Sequence, residues 1–207
     1  MKLDIIGDGS FGRFLKQLLS TLFEMDAEAE TIVLAVPISA YDDVASLHRT
    51  KHLVNVCSVQ EPSMDAILKY TPNVTGLHPL FGARTPADKR RSIVTRLISA
   101  DTGADQKYVD REREFLERFG KVSTIHLVDP DGAPFSPASH DQLMAKTHAA
   151  AVLAARQLKP YVEAARDAPD EYIPNSFRLM RDFVKTLEDT PAGTIESIMA
   201  NPYIDTE

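Results

Sequence analysis

Apolar runs bounded by turn residues recur along the first part of the chain. Six of them predict β-strands, at 2–6, 31–37, 52–59, 73–79, 92–99 and 121–128. Between several of these runs, apolar residues recur at helical spacing instead, as they do from Phe11 to Leu22 and, more loosely, from Tyr108 to Phe119. Strands that alternate with helices predict a mostly parallel sheet with both of its faces covered.

After residue 129 the strand pattern stops. The segment DPDGAPFSPAS carries three prolines and a glycine, which is typical of a boundary loop. Beyond it, apolar residues recur at helical spacing from about 139 toward Pro160, where the proline must kink or end the predicted helix. We therefore predict a sheet domain at 1–130 and an all-helical domain at 138–207.

Two further helices are predicted near the carboxyl end. The first spans 177–187, and Thr190 followed by Pro191 is typical of the cap and first residue of a last short helix. Ala149–Ala151 offer a thin surface that another helix can approach closely. Because this domain is too small to bury its own apolar stripes, we predict a two-fold homodimer built mainly from its helices.

Composition narrows the class of protein. Charged residues make up 26% of the chain, the net charge is -7, and no apolar run approaches the roughly 20 residues that a membrane helix needs. The amino terminus lacks the pattern of a signal peptide, so we expect a cytoplasmic protein without a membrane partner. The acidic balance argues against a nucleic-acid surface. The single cysteine, Cys57, has no cysteine partner for a disulfide or a metal site, and no metal is predicted.

The segment IIGDGSFG has the spacing of a dinucleotide-binding loop between a strand and a helix. Gly7 would make the tight turn, Gly9 would let the backbone approach a pyrophosphate, and Gly12 would let the helix pack closely on the strand. Amide groups at the helix start favour phosphate charge. We assign Ser10 and Phe11, between the last two glycines, to the same cofactor site.

The segment after this helix is short for a complete dinucleotide fold. Only 18 residues separate Gly12 from the strand at Thr31, which leaves no room for both a second strand and its crossover helix. We therefore predict a Rossmann-like, mostly parallel sheet that lacks the second strand–helix unit, followed by a small helical dimerisation domain. Half of the adenosine pocket is then missing, and the acids Asp26, Glu28 and Glu30 are either ribose contacts or solvated loop charges.

Ligands of open parallel sheets bind outside the carboxyl ends of the strands, and three predicted strands end in suggestive residues. These ends carry Val36 with Pro37, Ser58, and His78 before a proline. If the strands are neighbours, Ser58 and His78 face one crevice beside the glycine loop. A histidine there can exchange a proton near neutral pH. Taken alone, His78 fits a ligand-facing base and a hydrogen-bonded structural residue equally well, whereas Ser58 favours a structural role.

The segments GDGSFG, VLAVP, VNVCSV, GLHPLFG and SHDQLMA occur in the order found in prephenate/arogenate dehydrogenases, the oxidative decarboxylases of tyrosine biosynthesis. The carboxyl-terminal FRLMRDF and DTPAGTIESIMANP resemble the helical domain of the same family. The resemblance covers nearly the whole chain, and its most specific part is the pairing of CSV with HPLFG.

The resemblance implies a role for each matching residue. His78 would take the proton of the substrate's ring hydroxyl as hydride leaves the same carbon for NAD or NADP, after which loss of carbon dioxide makes the ring aromatic. Ser58 would contact the hydroxyl and the nicotinamide region. Arg178 is the closest match to the arginine that grips a substrate carboxylate, with Arg181 as the alternative, and His140 matches a histidine near the substrate. Val36 and Pro37 would line the cofactor site.

The chain also departs from the family pattern. Gln60 stands where the family often has lysine, and the sequence given ends with NPYIDTE, where relatives usually continue through further helices. Two hypotheses follow. The first is a compact dehydrogenase acting on a small cyclohexadienol acid, either prephenate, arogenate or an analogue. The second is a family member that has lost dinucleotide binding and acts as a dimeric binding or scaffold protein.

Overall fold

The computed structural model describes residues 1–99 and 104–204. The chain divides into two compact units, Met1–Asp141 and Gln142–Glu207. Residues 138–141, which the sequence analysis assigned to the helical domain, therefore belong to the first unit.

The first unit is built on one seven-stranded sheet. Its strands are β1 (Lys2–Ile6), β2 (Glu24–Met25), β3 (Thr31–Leu34), β4 (His52–Asn55), β5 (Val74–Pro79), β6 (Arg91–Arg96) and β7 (Thr124–His126). They lie in the order β2-β1-β3-β4-β5-β6-β7. Only the β5–β6 pair is antiparallel, so the predicted mostly parallel sheet is confirmed.

Helices cover both faces of this sheet, as the alternation of strands and helices predicts. They are α1 (Ser10–Leu19), α2 (Tyr41–Leu47), α3 (Glu61–Leu68) and α4 (Gln106–Phe119), followed by α5 (Pro137–Met144). Successive strand residues point to opposite faces. Val33 accordingly packs in a core with residues of α1 and α4, whereas Ile32 and Leu34 pack with residues of α2 and α3.

The segment between α1 and β3 keeps a remnant of the second strand–helix unit. Residues 24–25 form the short strand β2, parallel to β1, and no helix separates it from β3. The sequence analysis missed β2 because both of its residues are exposed and it has no apolar run. The predicted strands at 31–37 and 52–59 are too long at their carboxyl ends, since β3 ends at Leu34 and β4 at Asn55 whereas the apolar runs continue into the loops that follow.

The second unit is helical. After α5 the chain forms a π-helical turn (Ala145–Ala149), α6 (Ala150–Ala164), α7 (Asn175–Glu188) and α8 (Ala192–Met199). Ala149, Val152 and Ile198 form its buried core. No helix in the part of the chain that the structure describes is long and apolar enough to cross a membrane.

Two predicted features of these helices concern their ends. Of the two outcomes predicted at Pro160, a kink or an end, the end is excluded, because α6 continues through Pro160 to Ala164. Thr190 does not cap α8, which begins after Pro191, and its hydroxyl donates instead to the carbonyl of Thr186 at 3.1 Å. The homodimer stays a prediction, and exposed Leu179 on α7 is an apolar residue that such an interface would cover.

A buried polar cluster lies at the amino ends of β3, β4 and β5. The ring of His52 joins Thr31 Oγ1 through Nδ1 at 3.3 Å and Thr75 Oγ1 through Nε2 at 2.8 Å. Thr75 Oγ1 donates to Glu112 Oε1 at 2.5 Å, and Glu112 also accepts the backbone N–H of Ile98. Burial lowers the pKa of His52 to about 3, and the charge of Arg111 adds to the effect.

This lowered pKa predicts acid-sensitive folding. The unfolded chain takes up a proton on His52 below about pH 6.5, whereas the folded chain does not until about pH 3. His52 therefore contributes stability above pH 6.5 that is lost as the pH falls toward 3. Between pH 7 and pH 5, urea unfolding should show a loss of about 2 kcal/mol that disappears in His52→Gln. The matched change at exposed His126, His126→Gln, should keep the loss, and an equal loss in both variants would contradict the assignment.

Candidate active site

The strands that carry the predicted site residues are neighbours, as the sequence analysis required. β1, β3, β4 and β5 are adjacent and parallel, so their carboxyl ends lie at one edge of the sheet. The glycine loop follows β1, Val36 and Pro37 follow β3, Ser58 follows β4, and His78 lies near the end of β5. This edge is where open parallel sheets bind their ligands.

The three glycines of the loop face three different surroundings. Gly7 has a φ of +132°, and a Cβ placed on it would lie 2.1 Å from the carbonyl oxygen of Ala35. A Cβ on Gly12 would lie 2.2 Å from the carbonyl oxygen of Gly7. Gly9, in contrast, faces open space, with nothing within 4 Å of such a Cβ. The first and third glycines therefore allow close backbone packing, and the second leaves its side of the loop open to a ligand.

The start of α1 suits an anionic group. Gly9 is its N-cap residue and makes no side-chain cap, and exposed Ser10 and half-buried Phe11 form the first turn. Lys16 Nζ donates to Asp8 Oδ1 at 2.9 Å, which lowers the pKa of Asp8, and the guanidinium of Arg13 donates to the Asp8 carbonyl. Two cations, Arg13 and Lys16, thus contact Asp8, and these three side chains together carry a net positive charge beside the loop.

The acid that follows β2, Asp26, lies far from the glycine loop. β2 pairs Met25 with Leu3, and the following residue, Asp26, donates its N–H to the Leu3 carbonyl. Asp26 therefore lies about three strand residues, or about 10 Å, short of the glycine loop. Its carboxylate accepts from Lys2 Nζ at 2.8 Å and from the N–H of Glu28, which lowers its pKa.

The position of Glu30 also favours a loop charge over a ribose contact. It directly precedes β3, at the opposite edge of the sheet from the glycine loop, and its carboxylate lies 3.3 Å from Arg111 Nη1. The predicted loss of half of the adenosine pocket therefore has a structural cause. β2 is too short to carry an acid up to the level of the loop.

His78 lies near the carboxyl end of its strand, and its side chain is buried and hydrogen-bonded. It lies in β5, but its side chain does not face an open crevice, because the residue is only 2% exposed. Its Nδ1 lies 2.8 Å from Nε2 of His140, and the two rings meet edge to face at 82°. Solvent therefore has almost no access to this side chain.

His140 is in turn held by Asp141. Nδ1 of His140 lies 2.7 Å from Oδ1 of Asp141, and both residues are fully buried. The two carboxylate oxygens also accept the backbone N–H groups of Gln60 and Glu61, each at 2.8 Å. Because these amides stand at the first turn of α3, Asp141 caps that helix. The sequence analysis did not single out Asp141, although it follows His140 directly in the segment SHDQLMA.

Gln60, the departure from the family pattern, is a buried structural residue. Its amide donates to the carbonyl of Cys57 at 2.6 Å, and its Oε1 accepts from Thr95 Oγ1 at 2.7 Å. Gly76 of β5 makes room for this contact, since a Cβ there would lie 2.2 Å from Thr95 Oγ1. The Gln60 amide thus connects the loop after β4 to β6 through hydrogen bonds. A neutral, buried side chain therefore occupies the position where the resembling family often has a charged lysine.

The remaining predicted residues lie in both units. Ser58 is half-buried in the loop between β4 and α3. Arg178 and Arg181 belong to the second unit, where Arg178 donates to the carbonyl of Asp170 at 2.6 Å and Arg181 pairs with its carboxylate at 3.0 Å. Their roles toward a substrate stay predictions.

Known structures with a similar fold are dehydrogenases. A Corynebacterium glutamicum protein assigned as a prephenate dehydrogenase is 16% identical with a TM-score of 0.68, over 98% of this chain and 76% of its own. Prephenate dehydrogenase of Aquifex aeolicus, in complex with hydroxyphenyl propionate and NAD+, is 14% identical with a TM-score of 0.62, over 97% and 82%. Arogenate dehydrogenase of Synechocystis is 18% identical with a TM-score of 0.52, over 97% and 84%.

These likenesses define the fold of the chain. It is the fold of the Rossmann-type dehydrogenases, and in particular that of the prephenate and arogenate dehydrogenases that the sequence also resembles. No protein-family profile matches the sequence, and no curated protein matches it either.

The glycine geometry predicts losses of stability of very different size for two similar substitutions. Gly7→Ala places a Cβ against the Ala35 carbonyl at a strained φ and should lower the free energy of unfolding by about 2 kcal/mol or more. Gly9→Ala meets open space at an ordinary φ of -64° and should cost less than about 1 kcal/mol. Urea unfolding measures both, and equal losses would show that the loop is packed differently.

Proposed function

We propose that the protein is a compact dehydrogenase of the prephenate/arogenate type, which oxidatively decarboxylates a small cyclohexadienol acid with NAD or NADP in tyrosine biosynthesis or a related pathway. The observation that carries the proposal is that the glycine loop and His78 lie at the same edge of the sheet, at the carboxyl ends of β1 and β5, which are parallel and separated by β3 and β4. The shared dehydrogenase fold and the sequence resemblance support it.

The loop fits the pyrophosphate of a dinucleotide better than it fits the adenosine. The open side of Gly9 and the uncapped first turn of α1 at Ser10 and Phe11 suit a phosphate group. Gly7 and Gly12 shape the loop, and Val36 and Pro37 would border the nicotinamide side. When bound, the nicotinamide supplies the hydride acceptor. With Asp26 displaced, the chain offers no acid to the adenosine ribose from β2, so we expect weak binding with little preference between NAD and NADP.

The residues of the chain have the following proposed roles. His78 accepts the proton of the substrate hydroxyl while the carbon that bears it loses hydride, and the departing carboxylate leaves as carbon dioxide. Ser58 contacts the same hydroxyl. Arg178, or Arg181 in its place, binds a substrate carboxylate through its forked guanidinium, and His140 supports His78 near the substrate.

A second candidate function is favoured by two specific observations. His78 is 2% exposed, and β2 leaves Asp26 short of the glycine loop. Both fit a family member that has lost dinucleotide binding and acts as a dimeric binding or scaffold protein. Cofactor binding separates the two candidates, because hydride transfer requires it and a scaffold does not.

The dehydrogenase proposal predicts that NAD or NADP stabilises the folded protein. A ligand at one hundred times its dissociation constant adds about 2.7 kcal/mol to the free energy of unfolding, which thermal unfolding detects as a raised Tm. Gly9→Ala, which keeps the fold, should reduce or abolish the shift, because its methyl group stands where a pyrophosphate approaches. No shift with either dinucleotide at millimolar concentration would favour the scaffold.

The proton-acceptor role of His78 is tested by His78→Asn. Asparagine keeps a polar group near His140 but cannot take up the proton, so kcat with prephenate or arogenate should fall by about 100-fold or more while KM changes little. His126→Asn, at an exposed site, should keep the kcat of the parent. A kcat equal to that of the parent in His78→Asn would remove His78 from the mechanism.

A further inference from the structure

The chain of hydrogen bonds from Asp141 through His140 to His78 determines where the protons of the two rings lie. Asp141 receives the N–H groups of Gln60 and Glu61, one on each carboxylate oxygen, and also faces Nδ1 of His140. An ionised carboxylate can only accept hydrogen bonds. The proton between Asp141 and His140 therefore lies on Nδ1 of His140.

The position of this proton fixes the next one. A neutral imidazole carries one N–H, so His140 with a protonated Nδ1 presents a lone pair on Nε2. That atom faces Nδ1 of His78 at 2.8 Å, and Nδ1 of His78 must then be the donor. The lone pair of His78 consequently lies on its other nitrogen, Nε2.

The opposite arrangement is disfavoured by burial. If His140 carried its proton on Nε2, its Nδ1 lone pair would face the Asp141 carboxylate at 2.7 Å in a fully buried position. The Nδ1 lone pair and the carboxylate oxygen would then repel each other, and the charge-assisted hydrogen bond between them would be lost without replacement by water. Because no solvent reaches Asp141 or His140, water cannot take over either partner.

We propose that Asp141 is a positioning residue that, through His140, holds His78 in the tautomer whose Nε2 is a proton acceptor. Its value for catalysis rests on the proposed function, whereas the tautomer itself does not. When Nε2 of His78 takes up a proton, the Nδ1 proton can pass to His140 Nε2, and the positive charge then lies directly beside the Asp141 carboxylate. No heavy atom has to move in this transfer: His78 gains one proton on Nε2 and loses one from Nδ1, so it stays neutral, and His140 gains one proton and becomes the cation.

Ring-nitrogen NMR of the ¹⁵N-labelled full chain, without cofactor or substrate at neutral pH, tests the tautomer directly. The chain has six histidines, so His78→Gln and His140→Gln identify the two signals by their loss. We expect both His78 and His140 to be protonated on Nδ1 and not on Nε2. A proton on Nε2 of His78 in the parent protein would overturn the proposal, whatever any variant does.

Asp141→Asn tests the cause. The NH₂ group of the asparagine can donate to Nδ1 of His140, which then carries its proton on Nε2. That proton faces Nδ1 of His78, so His78 should change to the Nε2-protonated form or to a mixture of the two forms. Ser63→Ala is the matched control, because it removes a buried hydroxyl bound to Asn55 at the same end of α3 and leaves Asp141 in place. Unchanged His52 signals report an intact fold. An unchanged His78 signal in folded Asp141→Asn would contradict the role of Asp141.

Activity provides an independent readout. In an active enzyme, Asp141→Asn should lower kcat by about tenfold or more with KM near that of the parent, whereas Ser63→Ala should keep both constants. If the tautomer is found and neither prephenate nor arogenate is oxidised by the parent, the proposed function fails and the assignment of the protons stands. If oxidation is found with the other tautomer, the assignment fails and the function stands.

Discussion

The buried carboxylate of Asp141 is the constraint on which the candidate site depends. A carboxylate inside a protein is stable only when hydrogen-bond donors replace its water, and here two backbone amides and one imidazole do so. The same bonds begin α3, fix the ring of His140 and, through it, the ring of His78. The start of α3, the ring of His140 and the ring of His78 therefore depend on the same buried carboxylate. A change at Asp141 is expected to affect all three.

The glycine loop depends on a second constraint, the close approach of two backbones. Gly7, after β1, packs directly against the backbone of Ala35, after β3, and leaves no room for a side chain. Gly9, two residues further along the loop, faces open space. β2, beside β1, spans only two residues, and no helix separates it from β3. Under the proposed function, the open glycine loop would serve the phosphates of a dinucleotide, and the shortened unit would hold its adenosine only weakly.

Much of this architecture follows from local sequence. Six of the seven strands and the order of the site segments are readable from apolar runs and the glycine spacing, because those signals extend over a few neighbouring residues. β2 is not readable, since two exposed residues leave no pattern. The burial of His78 is not readable either, because its partner His140 lies 62 residues away in the chain. Pro160 does not locate the end of its helix, since the local rule allows a proline either to kink or to end a helix and α6 continues to Ala164.

The central claim is that the glycine loop and His78 serve one bound molecule. A titration with NAD or NADP, followed by NMR of the Gly9 amide and the His78 ring, tests it most directly. The account predicts that both signals move along a single saturable curve with one dissociation constant. A Gly9 amide that responds while the His78 ring stays unchanged, or a dinucleotide that moves neither, would contradict it.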